Sequence, residues 1–97
     1  MSQVHAEEYL NTVKNCQNEA EQFDLLKDNF PGVALELAKS KFASPRVLDI
    51  LTRHPLITVR HEVAKNPNTS RSTLERLSDD KDMLVRDYAR RTIMSLK

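Results

Sequence analysis

A single cysteine, Cys16, excludes an intrachain disulfide and any metal cluster held by several thiolates. It stands between Asn15 and Gln17 with Lys14 as its nearest cation, and reads as a packed or half-buried thiol, not an activated one. Gly32 is the only glycine, so no glycine-rich phosphate loop exists. Tryptophan is absent, and two tyrosines and three phenylalanines are few for a surface that stacks nucleic-acid bases. No apolar run approaches the roughly 18 residues of a membrane-spanning helix, so no membrane association is expected. No basic segment leads into an apolar stretch at the N-terminus. No secretory signal is read there, and a cytoplasmic location is expected.

What remains is a charged chain of 97 residues, 39% hydrophobic, with material for one modest core. Its formal charge is +1, unevenly spread. Residues 1–30 hold two basic and six acidic side chains, and residues 31–97 hold thirteen basic and eight acidic ones. Such a division fits a basic binding surface, or an acidic end docked on a basic neighbour.

The strongest pattern is internal. Residues 25–66 set against 51–92 give ten identities: Leu25/Leu51, Val33/Val59, Glu36/Glu62, Ala38/Ala64, Lys39/Lys65, Ser44/Ser70, Leu48/Leu74, Leu51/Leu77, Val59/Val85 and Arg60/Arg86. A repeat of 26 residues is the mark of a stacked array in which each unit buries its apolar side only against its neighbours. The apolar residues recur at helical spacing and no segment reads as a hairpin, which predicts an all-α protein.

The stripe Ala6, Tyr9, Leu10, Val13, Cys16 and Ala20 predicts an N-terminal helix broken near residues 15–18. Asn18 with Glu21 fits a capping box opening a short second helix that carries Ala20, Phe23 and Leu26. Pro31 suits the first turn of a third helix running to about Lys41, with Val33, Leu37 and Ala38 inward. Ser44-Pro45 opens a fourth, with Val47, Leu48 and Leu51 inward, ending near Arg53. A fifth is expected from about Leu56 to Lys65, stopped by Asn66-Pro67-Asn68-Thr69. Ser70 opens a sixth around Leu74 and Leu77, and the acidic run at residues 79–82 leads into a last helix bearing Val85, Tyr88, Ala89, Thr92, Ile93 and Leu96.

The run from Val59 to Ser70, followed by Leu74, Leu77, Asp80, Asp82 and Val85-Arg86, resembles the leucine-rich repeat variant pattern. That pattern has valine-arginine, alanine-x-asparagine-proline-x-threonine, a leucine pair, and an aspartate pair before the next valine-arginine. The resemblance is strong over residues 44–89, weaker over 18–43 and absent from 1–17. It implies helical pairs in a right-handed superhelix, close in character to HEAT-like repeats. Ser40-Lys41 and Thr92-Ile93 depart from the asparagine-proline, so the outer units are degenerate, as the ends of such arrays tend to be. Some proteins that the family resembles carry an iron-sulfur cluster held by several cysteines. A lone cysteine cannot hold one, and no cofactor is expected.

Candidates for chemistry are sparse. His61-Glu62 resembles the start of a zinc-protease motif, but Lys65 stands where the second histidine is required. His5, His54 and His61 read as surface or capping residues, and residues 79, 80 and 82 as helix-capping aspartates, not cation ligands. Arg60 and Arg86 occupy matching positions, fit to bridge to a neighbouring repeat. Lys39, Lys65 and Arg91 stand at successive 26-residue intervals and should line up along the second helices, which commonly form the concave side of such arrays. Arg60, Arg86 and Arg90 could widen that basic stripe. Each column residue is also near a helix end where a cation favours the dipole, by roughly 0.3–1 kcal/mol.

We therefore expect a short right-handed α-solenoid of about three helical pairs, with an N-terminal capping helix at 1–17 and units at 18–43, 44–69 and 70–97. The expected role is a non-enzymatic scaffold that binds a protein on the second-helix face. Binding of nucleic-acid phosphates by a HEAT-like basic face is the alternative. A homodimer through the last helix is also open, since Tyr88, Ile93, Met94 and Leu96 have no following repeat to cover them.

Overall fold

The structure, a computed structural model, describes residues 3–96, which form seven α-helices and no strand. The outer limits of the first and last expected units, residues 1 and 97, lie outside the described residues. Helix starts follow from side-chain caps. The Asn18 side chain accepts from Glu21 N at 2.9 Å to open α2 (Glu19–Leu25) after α1 (Gln3–Lys14). Ser44 accepts from Val47 N ahead of Pro45 to open α4 (Pro45–Leu51), and Ser70 accepts from Thr73 N to open α6 (Arg71–Leu77). Asp82 accepts from Val85 N at 3.0 Å to open α7 (Met83–Ser95). Each cap satisfies an amide that the first turn leaves without a partner, a contribution of about 1 kcal/mol.

Among the helices whose cap residue is described, two start without a side-chain cap. At α5 (Ile57–Lys65) the cap residue is Leu56. At α3 (Val33–Lys39) it is Gly32, at φ +95°. Pro31 therefore precedes the helix and does not form its first turn. The positive φ suits glycine alone, and Leu10 Cδ1 lies 3.2 Å from where a β-carbon would project. The far end of α3 also falls short of Lys41, because Ser40 turns to extended backbone and its hydroxyl accepts from Phe42 N.

Helices α1, α3, α5 and α7 pack in that order as one row, and α2, α4 and α6 lie along it. The result is elongated, 40 × 24 × 19 Å. Among the described residues no helix is long and apolar enough to cross a membrane. The core runs the length of the row through Val33, Leu37, Val47, Leu48, Val59, Val63, Leu74 and Val85, all at 1% exposure or less. Each fully buried leucine among them stabilises the fold by roughly 1.5–3 kcal/mol.

A row of polar contacts repeats with the same period. Ser40 Oγ donates to Lys14 O at 2.7 Å. Asn66 Nδ2 donates to Ala38 O and Ser40 O, both at 2.9 Å, and Thr92 Oγ1 donates to Ala64 O at 2.6 Å. Residues 40, 66 and 92 thus each hold carbonyls at the end of the preceding helix in the row. The departures from asparagine at 40 and 92 keep its function, because serine and threonine also carry a donor.

The ends of the row differ from its middle. Val33, Leu37 and Ala38 are buried in α3, while the equivalent positions of α1 hold Glu7, Asn11 and Thr12, all exposed, and α1 buries Val13 instead. At the other end Arg90 is exposed where Ala38 and Ala64 are fully buried. Polar residues at these positions leave less apolar surface on α1 and α7 than the matching positions bury in α3 and α5. The uncovered apolar side expected on the last helix is also small: Tyr88, Ile93 and Leu96 pack against the core, and Met94 alone of the four is exposed, at 74%.

One expected core position is wrong. Ala20 is exposed, and Gln22 takes the inward place at 1% exposure. Its Nε2 donates to Cys16 O and Phe42 O, both at 2.8 Å, and its Oε1 accepts from Ser44 N at 3.0 Å. A buried amide with both ends satisfied carries little desolvation cost, and here it ties the α1–α2 and α3–α4 connections together.

Candidate functional site

Helices α3, α5 and α7 each carry exposed charged side chains. Three ion pairs recur there: Lys39 with Glu36 at 3.8 Å, Lys65 with Glu62 at 3.7 Å, and Arg91 with Asp87 at 2.9 Å. Each joins side chains three or four residues apart, which share a helix face. The side chains of Lys39, Lys65 and Arg91 are 43%, 48% and 71% exposed. Each of the three cations foreseen from the period is thus exposed and stands beside a carboxylate of its own helix. Lys65 also lies over the Tyr88 ring, 5.4 Å from its centre, which links α5 to α7. Lys39 and Lys65 share a shallow hollow of about 200 Å³ with Lys41, Glu62, Asn66 and Pro67. Arg91 is not among its walls.

Arg60, Arg86 and Arg90 face elsewhere. Arg60, with its side chain 14% exposed, donates from Nε and Nη2 to the two carboxylate oxygens of Asp80 at 3.0 and 3.4 Å. Its Nη1 donates to His54 O and Pro55 O. Arg86 Nη1 donates to Asp80 O and Lys81 O, and Arg90 Nη2 to Ser78 O. These guanidiniums clamp the turns between paired helices and do not extend the column. His61 joins the same region through Nε2 and Asp82 Oδ1, 2.9 Å apart, and its ring meets Tyr88 edge-on at 5.9 Å. The hydrogen bond from His61 and that from Val85 N hold the Asp82 carboxyl below the usual carboxylate range. His54 takes a turn-capping place, accepting from Leu56 N at 3.1 Å.

A larger groove of about 960 Å³ lies at the other end of the molecule, against α1 and α2. Glu21, Asp24 and Asp28 line it with Cys16 and no basic side chain. Tyr9 donates to Asp28 there; that bond, with a second from Phe30 N, lowers the Asp28 pKa, and the Tyr9 pKa is raised chiefly by the same bond. Cys16 is half-buried, its Sγ 3.6 Å from Glu21 Oε2. The acidity of residues 1–30 was visible in the sequence, but nothing there told that a break between two helices would open a hollow beside it. Among the described residues no three His, Cys, Asp or Glu side chains are grouped to hold a metal ion.

Residues 57–82 match the family model described as leucine rich repeat variant. That stretch runs from the first residue of α5 to the cap of α7 and contains Arg60, Asn66, Thr69, Ser70, Asp80 and Asp82. Thr69, buried at 2% exposure, donates from Oγ1 to Val63 O at 2.7 Å, which accounts for a threonine at that place in the repeat. Neither the curated proteins nor the solved structures compared give a match.

Proposed function

Taking a leucine rich repeat variant unit within an all-α array as the premise, we propose that this chain is a non-enzymatic scaffold that binds a partner protein on the exposed face of α3, α5 and α7. The observation that carries this reading is an exposed cation beside a carboxylate on each helix of the row from α3 onward: Glu36–Lys39 and Glu62–Lys65 at matching positions, and Asp87–Arg91, where Tyr88 takes the matching place and the carboxylate stands one residue earlier. Exposed pairs of this kind contribute about 0–1 kcal/mol to stability, so folding alone gives little reason for one on each of these helices. Neighbouring opposite charges offer a partner both signs, which favours selectivity and rapid encounter. They fit a phosphate backbone poorly, because each cation comes with a carboxylate that a phosphate would have to approach.

The test is capture of partners from native cytosol by the wild type beside the triple variant K39E/K65E/R91E, with circular dichroism to verify that the variant keeps its helices. A partner held by the wild type and lost from the variant supports the reading. Equal capture by both removes the column as the binding face. Titration with a duplex oligonucleotide tests the phosphate alternative. Affinity that falls steeply with salt supports it, and no binding at low salt removes it.

A further inference from the structure

Arg60 and Arg86 stand one repeat apart and are anchored alike. Arg60 Nη1 donates to the carbonyls six and five residues upstream, His54 and Pro55, at 2.9 and 3.2 Å. Arg86 Nη1 donates to the carbonyls six and five residues upstream, Asp80 and Lys81, at 2.8 and 3.1 Å. Pinning one nitrogen to a turn fixes the plane of the guanidinium and aims its remaining edge. On Arg60 that edge, Nε and Nη2, receives the carboxylate of Asp80 from the following unit. On Arg86 the same edge meets no acceptor among the described residues, and the side chain is half-buried, not waving in solvent.

We propose that the outer face of α7 is a docking site for an acidic segment of a partner protein, with Arg86 receiving a carboxylate as Arg60 receives Asp80. The proposal shares with the functional reading above only the premise that the ligand is a protein; the contact moves from the column to the end of the row. Residues 83, 86, 90 and 94 fall on one face of the helix. Met83 and Met94 there are 69% and 74% exposed, and Arg90 is exposed one turn beyond Arg86. Two pinned guanidiniums between two flexible apolar side chains suit a segment that brings carboxylates and some apolar contact. Three nearby carboxylates do not compete: Asp80 is held by Arg60, Asp82 by His61 and Asp87 by Arg91. A further apolar unit stacked here would meet Arg90 where Ala64 makes room for α7, so the charge of this face favours an acidic partner over continuation of the array.

The probe is a synthetic peptide of residues 77–96, which carries the aspartate-rich turn that Arg60 already recognises, beside the same peptide with Asp79, Asp80 and Asp82 replaced by Asn. Both are titrated into the whole isotope-labelled chain while the arginine Nε–Hε signals are followed by NMR. The expected result is a saturable shift of the Arg86 signal, with affinity for the acidic peptide about tenfold or more above that for its Asn form. The K39E/K65E/R91E variant should bind the acidic peptide as the wild type does, which separates this proposal from the fate of the column. An unmoved Arg86 signal, equal affinity for the two peptides, or loss of binding in the triple variant overturns it. So does a single-stranded oligonucleotide that shifts Arg86 at lower concentration than the acidic peptide, since the fork would then serve phosphate. Because the comparison is between two peptides on one unaltered protein, it does not depend on an Arg86 variant that folds.

Discussion

Replacing Asn66 with alanine tests the polar row most directly. Asn66 is 5% exposed and its side chain makes three hydrogen bonds, each of 2.9 Å: Nδ2 to Ala38 O, Nδ2 to Ser40 O, and Oδ1 from Asn68 N. A hydrogen bond contributes about 1 kcal/mol net, and a buried group left without a partner costs about 1–3 kcal/mol. Water entering the hollow beside Ala38 and Asn66 would recover part of that loss. N66A should therefore destabilise the domain by about 2–4 kcal/mol, a large share of the roughly 5–15 kcal/mol of a typical domain. In urea the midpoint should fall by about 1–3 M with the slope unchanged. N66D should cost more, since it sets a carboxylate against two carbonyl oxygens. T92V, which loses one bond at a half-buried site, should cost about 1 kcal/mol. An N66A protein within about 0.5 kcal/mol of the wild type would refute the view that this row holds the units together.

A double-mutant cycle on R60M and D80N should give a coupling of about 1–3 kcal/mol, because this ion pair is largely shielded from solvent; a coupling near zero would mark it as an ordinary surface pair. G32A should lower stability by about 1–2 kcal/mol through its positive φ and the contact with Leu10, as read from the thermal midpoint. Stability should also vary with pH at two extremes. The folded pKa values of Asp28 and Asp82 are lowered, so their contribution is complete above the ordinary carboxylate range and disappears as pH falls through the folded values. The Tyr9 pKa is raised, so its contribution holds below the ordinary tyrosine range and disappears as pH rises through the folded value. Y9F should abolish the alkaline part and weaken the acid part of a stability–pH profile; a profile identical to the wild type's would count against the Tyr9–Asp28 bond.

Much of the fold could be read locally. Asn18, Ser44, Ser70 and Asp82 announce helix starts because a cap is a contact between residues three apart. The valines and leucines of the 26-residue echo are the core because stacking repeats their surroundings. What could not be read depends on partners distant in sequence. Gln22 is buried because Phe42 and Ser44 satisfy its amide, and hydropathy gives no hint of that. Gly32 displaces Pro31 as the start of α3 because the chain must turn with positive φ beneath Leu10. For the candidate site, the period sets Lys39, Lys65 and Arg91 one repeat apart and suggests Arg60 as the bridge that it makes to Asp80, but it could not tell that Arg86 and Arg90 turn to the carbonyls of inter-helix turns. Matching positions in a repeat share a backbone setting, and the direction of a long side chain is decided by which acceptors that setting offers.

The donors at 40, 66 and 92 bear on how such a protein changes length. Each reaches back by 26 or 28 residues to a carbonyl near the end of the previous helix in the row. Excising residues 44–69 would bring Ser70 directly behind Ala43, where its amide could meet the Gln22 oxygen that now takes Ser44 N. It would also set Thr92 the same interval from Ala38 O that it now keeps from Ala64 O. A single recombination event can thus add or remove one whole unit and keep a donor opposite the Ala38 carbonyl, provided that the cut respects the 26-residue count.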